Sequence, residues 1–199
     1  MKILAIVILF LGFASAQDFS LAAGGSVAAA GDLGYSNPTL GVFANSRFVY
    51  GHWAISSNAK FDFREKKSFA KRGHGYGEEA YGGFIFKRVE FDAGVVWAKQ
   101  INEQYQKAIL SPELRVAYIL PGVPSITGNV YGRAIFPDQL SQNHTRGVGG
   151  GLEFFLPHHI YAKGELIGYR YDQIVPNQPQ IRYSAHTGAK LEIQVGWHR

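Results

Sequence analysis

Seven histidines and no cysteine bound the chemistry open to this 199-residue chain. Without cysteine there is no thiolate nucleophile, no thiol metal ligand and no disulfide framework. His186 follows Ser184 and precedes Lys190 and Glu192 at even spacings, so an acid–base pair of His186 with a carboxylate is the first catalytic arrangement to weigh. Hydrolysis also needs an oriented nucleophile. No spacing in the chain supplies one, and the better reading of His186 is an interior histidine in a hydrogen-bond network. His158 and His159 follow Pro157 in a turn, where adjacent side chains diverge, so they make no chelating pair without further ligands. No catalytic residue, metal or cofactor is therefore expected. Arg64, Lys66, Lys67, Lys71, Arg72 and His74 cluster in one polar stretch, which suits either the phosphates of a membrane surface or a solvated loop.

The other ionic residues gain meaning from the elements that carry them. Residues 181–197 alternate almost without a break. Tyr183, Ala185, Thr187, Ala189, Leu191, Ile193, Val195 and Trp197 fall on one side of a period-2 pattern; Arg182, Ser184, His186, Gly188, Lys190, Glu192, Gln194 and Gly196 fall on the other. That is a strand with one apolar and one ionic face. It is much longer than the roughly 5–6 residues of an ordinary strand and long enough for the roughly 9–11 that cross a bilayer.

The same pattern recurs upstream. Strands are expected over residues 19–30, 39–45, 52–64, 76–86, from 89 to near 99, from 107 to 120, 125–136, from 146 to 156, from 160 to 171 and 181–197. Residues 32–38, 65–75, 100–106, 137–145 and 172–180 read as longer polar loops, and residues 46–51, 87–88, 121–124 and 157–159 as short turns. No 3.6-residue periodicity appears, so no helix is expected in the mature chain. Residues 1–16 carry Lys2, an apolar run and Ala14-Ser15-Ala16, the parts of a secretory signal peptide, which leaves residues 17–199 as one domain. The chain has 24 glycines, 14% aromatic residues and only 18% charged residues, against a usual ~25% charged. Its net charge of +5 comes without a long basic run, and nucleic acid is not an expected partner of an exported chain.

Three features favour a bilayer over water. Short turns alternate with longer loops, as in membrane barrels. Lys60, Asp62, Arg64, Glu79, Glu90, Asp92, Glu113, Arg115, Arg133, Glu153, Lys163, Glu165, Arg182, Lys190 and Glu192 all oppose the apolar set; with eight negative and seven positive charges, they can pair as a lumen charge network. Trp53, Trp97, Trp197, Phe61, Phe63, Phe86, Phe136 and Tyr183 fall near strand ends, where aromatic girdles sit. Within the lumen, Lys163 and Glu165 are the expected neighbours of Lys190 and Glu192.

The signal segment, the alternating strands and a final strand with Leu191, Ile193, Val195 and Trp197 outward resemble the small outer-membrane β-barrel proteins of Gram-negative bacteria, porin-like and OmpA-like in pattern. The resemblance implies a monomeric, transmembrane, antiparallel up-and-down barrel in the outer membrane. About ten strands are expected, or eight if residues 39–45 do not pair separately. It implies contact with outer-membrane lipid and lipopolysaccharide, and handling by the barrel-assembly machinery. In that family the last strand commonly ends on an aromatic residue; here His198 and Arg199 follow Trp197. The implied role is a structural or surface-interaction barrel with a plugged lumen, or a narrow pore. An outer-membrane enzyme acting on lipid or peptide is a further alternative. So is a lipocalin-like soluble barrel, whose GxW start Gly51-His52-Trp53 matches, although its lumen would have to be apolar.

Overall fold

The computed structural model describes residues 18–32, 35–63, 73–102, 106–122, 127–137, 146–173 and 184–199. The expected leader, residues 1–16, lies outside them. Ten strands form one closed antiparallel barrel in which each strand pairs with its sequence neighbours and β1 closes onto β10. They are β1 (Asp18–Asp32), β2 (Tyr35–Tyr50), β3 (Trp53–Phe63), β4 (Gly73–Phe86), β5 (Val89–Asn102), β6 (Gln106–Ile119), β7 (Thr127–Ile135), β8 (Arg146–Leu156), β9 (Ile160–Gln173) and β10 (Ser184–His198). The helical element among the described residues is a single 3-10 turn, Pro157–His159.

Register fixes the tilt. Asp18 pairs with Val49, and the direct partners then run Ala54, Gly83, Asp92, Arg115, Arg133, Gly149, Ile167 and Lys190 before returning to β1 at Ala30. One circuit therefore climbs from residue 18 to residue 30, a stagger of 12 residues. With ~3.3 Å per residue and ~4.7 Å between strands, this gives a tilt of about 40° and a backbone radius of about 10 Å. Each residue then rises about 2.5 Å along the barrel axis.

The apolar set faces out. Trp53 is 64% exposed and Trp197 52%, and Leu40, Val42, Ile55, Leu114, Val116, Leu191, Ile193 and Val195 are exposed with them. The inward residues that alternate with them are buried, among them Glu90, Asp92, Glu113, Arg133, Glu165 and Glu192. A lipocalin-type ligand cavity would need the reverse arrangement.

The second strand departs most from expectation. Residues 32–38 and 46–51 read as loop and turn, yet β1 runs to Asp32 and β2 takes in residues 35–50, turning only at residues 51–52, where Gly51 takes the positive φ of 59° that suits glycine. Pro38 lies opposite Ala29 within the ladder. Polar composition marks contact with water as much as it marks a loop, and a strand end beyond the apolar band carries the same residues. The expected alternation of turn lengths is broken at three connections and kept at the others. Only residues 33–34 separate β1 from β2 and 103–105 separate β5 from β6, whereas 120–126 separate β6 from β7.

Candidate functional site

The barrel interior is the chemically distinctive region. It is built by alternation: every second residue of a strand points inward, so a carboxylate or cation at those positions must find its partner inside. Arg133 on β7 sits at the hub. Its Nη1 is 3.0 Å from Glu79 Oε1 of β4 and 3.4 Å from Glu165 Oε2 of β9, and its Nε is 3.2 Å from Glu113 Oε1 of β6. Tyr131 donates a 2.6 Å hydrogen bond to Glu165, and Lys163 Nζ lies 3.8 Å from the same carboxylate. Tyr131, Arg133 and Lys163 thus all converge on Oε2 of Glu165, which makes this carboxylate an ion-pair element of the hub.

Other groups surround the hub. Arg115 donates to Asp92 at 2.8 Å and lies over the Tyr81 ring, 4.6 Å from its centroid, a cation–π arrangement. Glu153 accepts from Asn129 at 2.9 Å and from Tyr161 at 2.7 Å. Lys60 Nζ bridges Asp62 at 3.1 Å and Glu192 at 2.8 Å, and Lys190 also pairs with Glu192. Towards the end that carries the short turns lies a cavity of about 40 Å³, lined by Asn45, Asn58, Glu79, Arg115, Glu153 and Lys163 among others. That is room for about two or three water molecules.

The expected link between β9 and β10 takes a different form. Glu192 lies directly opposite Glu165 in the register, and like charges so placed repel. Each turns to other cations, Glu165 to Arg133 and Lys163, Glu192 to Lys190 and to Lys60 on β3. Replacing Glu192 by Ala takes a carboxylate from two lysines, of which Lys60 keeps Asp62, whereas replacing Gln194 by Ala removes a neutral amide that donates to Glu192 at 2.8 Å. Glu192→Ala is expected to lower the unfolding free energy measured in urea by about 2–3 kcal/mol, against about 1 kcal/mol for Gln194→Ala.

Arg47 joins the interior although its position read as a turn; its Nη2 lies 2.7 Å from Glu90 Oε2. The signal was available, because the inward positions Phe43 and Asn45 continue to Arg47 at period 2. Arg64, Arg182 and Tyr183 lie outside the described residues, as do the side chains of Ser184 and His186. The ionic residues do not all share the inner face: Glu78, Arg146 and Arg170 are exposed on the outer one. His158 and His159 form a left-handed pair with φ of 61° and 62°, and His159 Nδ1 lies 3.1 Å from the His198 carbonyl. Among the described residues, no group of three or more His, Cys, Asp or Glu is placed to hold a metal ion.

Aromatic side chains gather at two levels. Trp53, Phe86 and Trp197, with Phe91 and Tyr118, lie at the turn end; Phe61, Phe63, Trp97 and Phe136 lie towards the other end. Trp53 and Phe63 open and close β3, so about 25 Å of outer wall lies between these two rings, the height of a membrane barrel's apolar band.

No protein-family model matches the chain. No curated protein matches it either. Among solved structures, the crystal structure of Neisserial surface protein A is similar at 11% identity, with 90% of this chain and 95% of that chain covered and a TM-score of 0.41. What is established for this chain is the fold its own strands build, a closed ten-strand antiparallel up-and-down barrel.

Proposed function

We propose that the chain is an outer-membrane barrel whose lumen is closed by its own side chains, and that it serves as a structural or surface-interaction protein rather than as a catalyst. The observation that carries this is the inversion of faces. An apolar outer wall about 25 Å tall, bounded by aromatics, encloses an interior of paired charges centred on Arg133. A soluble protein would leave that wall in water at a large hydrophobic cost, and a closed barrel satisfies its backbone without water. On this reading the turn end faces the periplasm, the surrounding partners are outer-membrane lipid and lipopolysaccharide, the barrel-assembly machinery inserts the chain, and the folded unit is a monomer.

Ion pairing across the lumen supports closure over conduction, since an ion crossing the barrel would have to part Arg133 from its carboxylates. In planar bilayers the purified protein is expected to insert without steady conductance. Stable current steps would establish the narrow-pore reading instead, and a chain that stays monomeric in water without detergent would end the membrane reading.

A further inference from the structure

Charge pairing inside the lumen is uneven. Among the described residues, all eight carboxylates of the lumen network face inward, against six cations: Arg47, Lys60, Arg115, Arg133, Lys163 and Lys190. Arg47 answers Glu90, Arg115 answers Asp92, and Lys60 and Lys190 share Asp62 and Glu192. Four carboxylates, those of Glu79, Glu113, Glu153 and Glu165, are left to two cations. Arg133 approaches three of them, and Lys163 lies opposite Glu153 in the register and 3.8 Å from Glu165. This side of the interior is therefore two positive charges short, and an unanswered charge in a closed lumen is costly. Two of the four, Glu79 and Glu153, line the cavity of about 40 Å³ towards the turn end.

Two asparagines on the same wall have their amides turned by those carboxylates. Asn45 and Asn58 are direct partners across β2 and β3. An ionised Glu153 only accepts hydrogen bonds, so the Tyr161 hydroxyl donates to it at 2.7 Å and itself accepts from Asn45 Nδ2. Glu79 likewise accepts from Asn58 Nδ2 at 3.4 Å. Each amide thus spends its nitrogen on the carboxylate side, and both Oδ1 atoms are buried with no donor among the described residues. We infer that this cavity binds a hard monovalent cation, an alkali metal ion such as sodium, held by the two amide oxygens with the carboxylates of Glu79 and Glu153. Ligands that are all oxygen select a hard ion. Arg115 and Lys163 on the same wall oppose a divalent one, and among the described residues no three His, Asp or Glu side chains gather to hold it. The space suits an ion with one or two waters of its shell. The inference rests on the closed lumen proposed above.

The test uses the full chain refolded in detergent. Its thermal midpoint is followed by heat-modifiable migration as sodium chloride replaces N-methylglucamine chloride at constant ionic strength. N-methylglucamine carries the same charge but is too large for the cavity. Once the site is more than half filled, each tenfold rise in sodium is expected to raise the wild-type midpoint by about 3–5 °C. N58A should lose most of that rise. N58D, which puts a charged oxygen where the amide oxygen stands, should reach half of its response at about tenfold lower sodium. Q194A removes a buried amide that does not line the cavity and should respond as the wild type does. Sodium nuclear relaxation reads binding directly on wild type and N58D, which keeps the test decisive if N58A does not fold. Equal midpoints in the two chlorides, or a wild-type response from N58A, overturns the inference. So does a midpoint that ignores sodium and climbs on acidification, which would mean that protons fill the shortfall. Steady conductance in planar bilayers ends the closed-lumen reading and this site with it, whereas a non-conducting barrel without a sodium response loses this site alone.

Discussion

Replacing Arg133 by Ala is expected to cost the barrel about 3–5 kcal/mol of unfolding free energy, or to prevent closure at that strength of repulsion. The residue is only 8% exposed and answers three carboxylates from three different strands. Their dependence on it is unequal. Glu79 keeps a contact with Asn58 Nδ2 at 3.4 Å, and Glu165 keeps Tyr131 and Lys163. Glu113 keeps less, because its carboxylate is buried, Arg133 is the one cation among the described residues set against it, and the Tyr81 hydroxyl that remains is neutral. The second substitution that best rescues Arg133→Ala should therefore be Glu113→Gln, ahead of Glu79→Gln or Glu165→Gln. A double-mutant cycle on the urea midpoint measures this. If Arg133→Ala unfolds like the wild type, water already screens the hub, and the closed-lumen proposal fails with it.

How much of this could be read from the chain depended on whether the information was local. Alternation is local: Trp53, Ile55, Phe61 and Phe63 against Lys60 and Asp62 announce β3 and its faces, and Leu191 to Trp197 do the same for β10. Glycine, asparagine and proline along β2 hid its ends, since the residues that make a loop also line a strand end in water. Cross-lumen partners were not legible at all. That Lys60 meets Glu192 depends on the 12-residue stagger accumulated around ten strands, and no strand carries that stagger alone. Local spacing pointed to Lys163 as the neighbour of Glu192, but the register sets two glutamates face to face and sends Glu192 across the barrel. The Asn45 and Asn58 pair was hidden likewise, because the two residues become neighbours only when β2 and β3 are aligned.

The seam that closes the barrel should be its most sensitive backbone contact. Gly24 of β1 and Gly196 of β10 are direct partners across it, both on the inward face. A methyl added at Gly24 would run into the Val195 carbonyl and the Gly196 Cα, and one added at Gly196 into the Ala23 carbonyl and the Gly24 Cα. These obstacles are backbone atoms, so no side-chain rotation relieves them and the strands must part. Overpacking alone costs about 1–3 kcal/mol. Here the displaced strands also carry the ladder between the two ends of the chain, which continues through reciprocal Leu21 and Arg199 hydrogen bonds of 3.1 and 2.9 Å. Losing it would leave two open sheet edges, which a lipid environment cannot satisfy. Gly196→Ala is therefore expected to lower the folded fraction seen as heat-modifiable migration, and Gly24→Ala/Gly196→Ala to abolish the folded band. Gly82→Ala should fold normally, because nothing lies within 4 Å of the added carbon. A Gly196→Ala barrel with the thermal midpoint of the wild type would show that β1 and β10 approach less closely than this register requires.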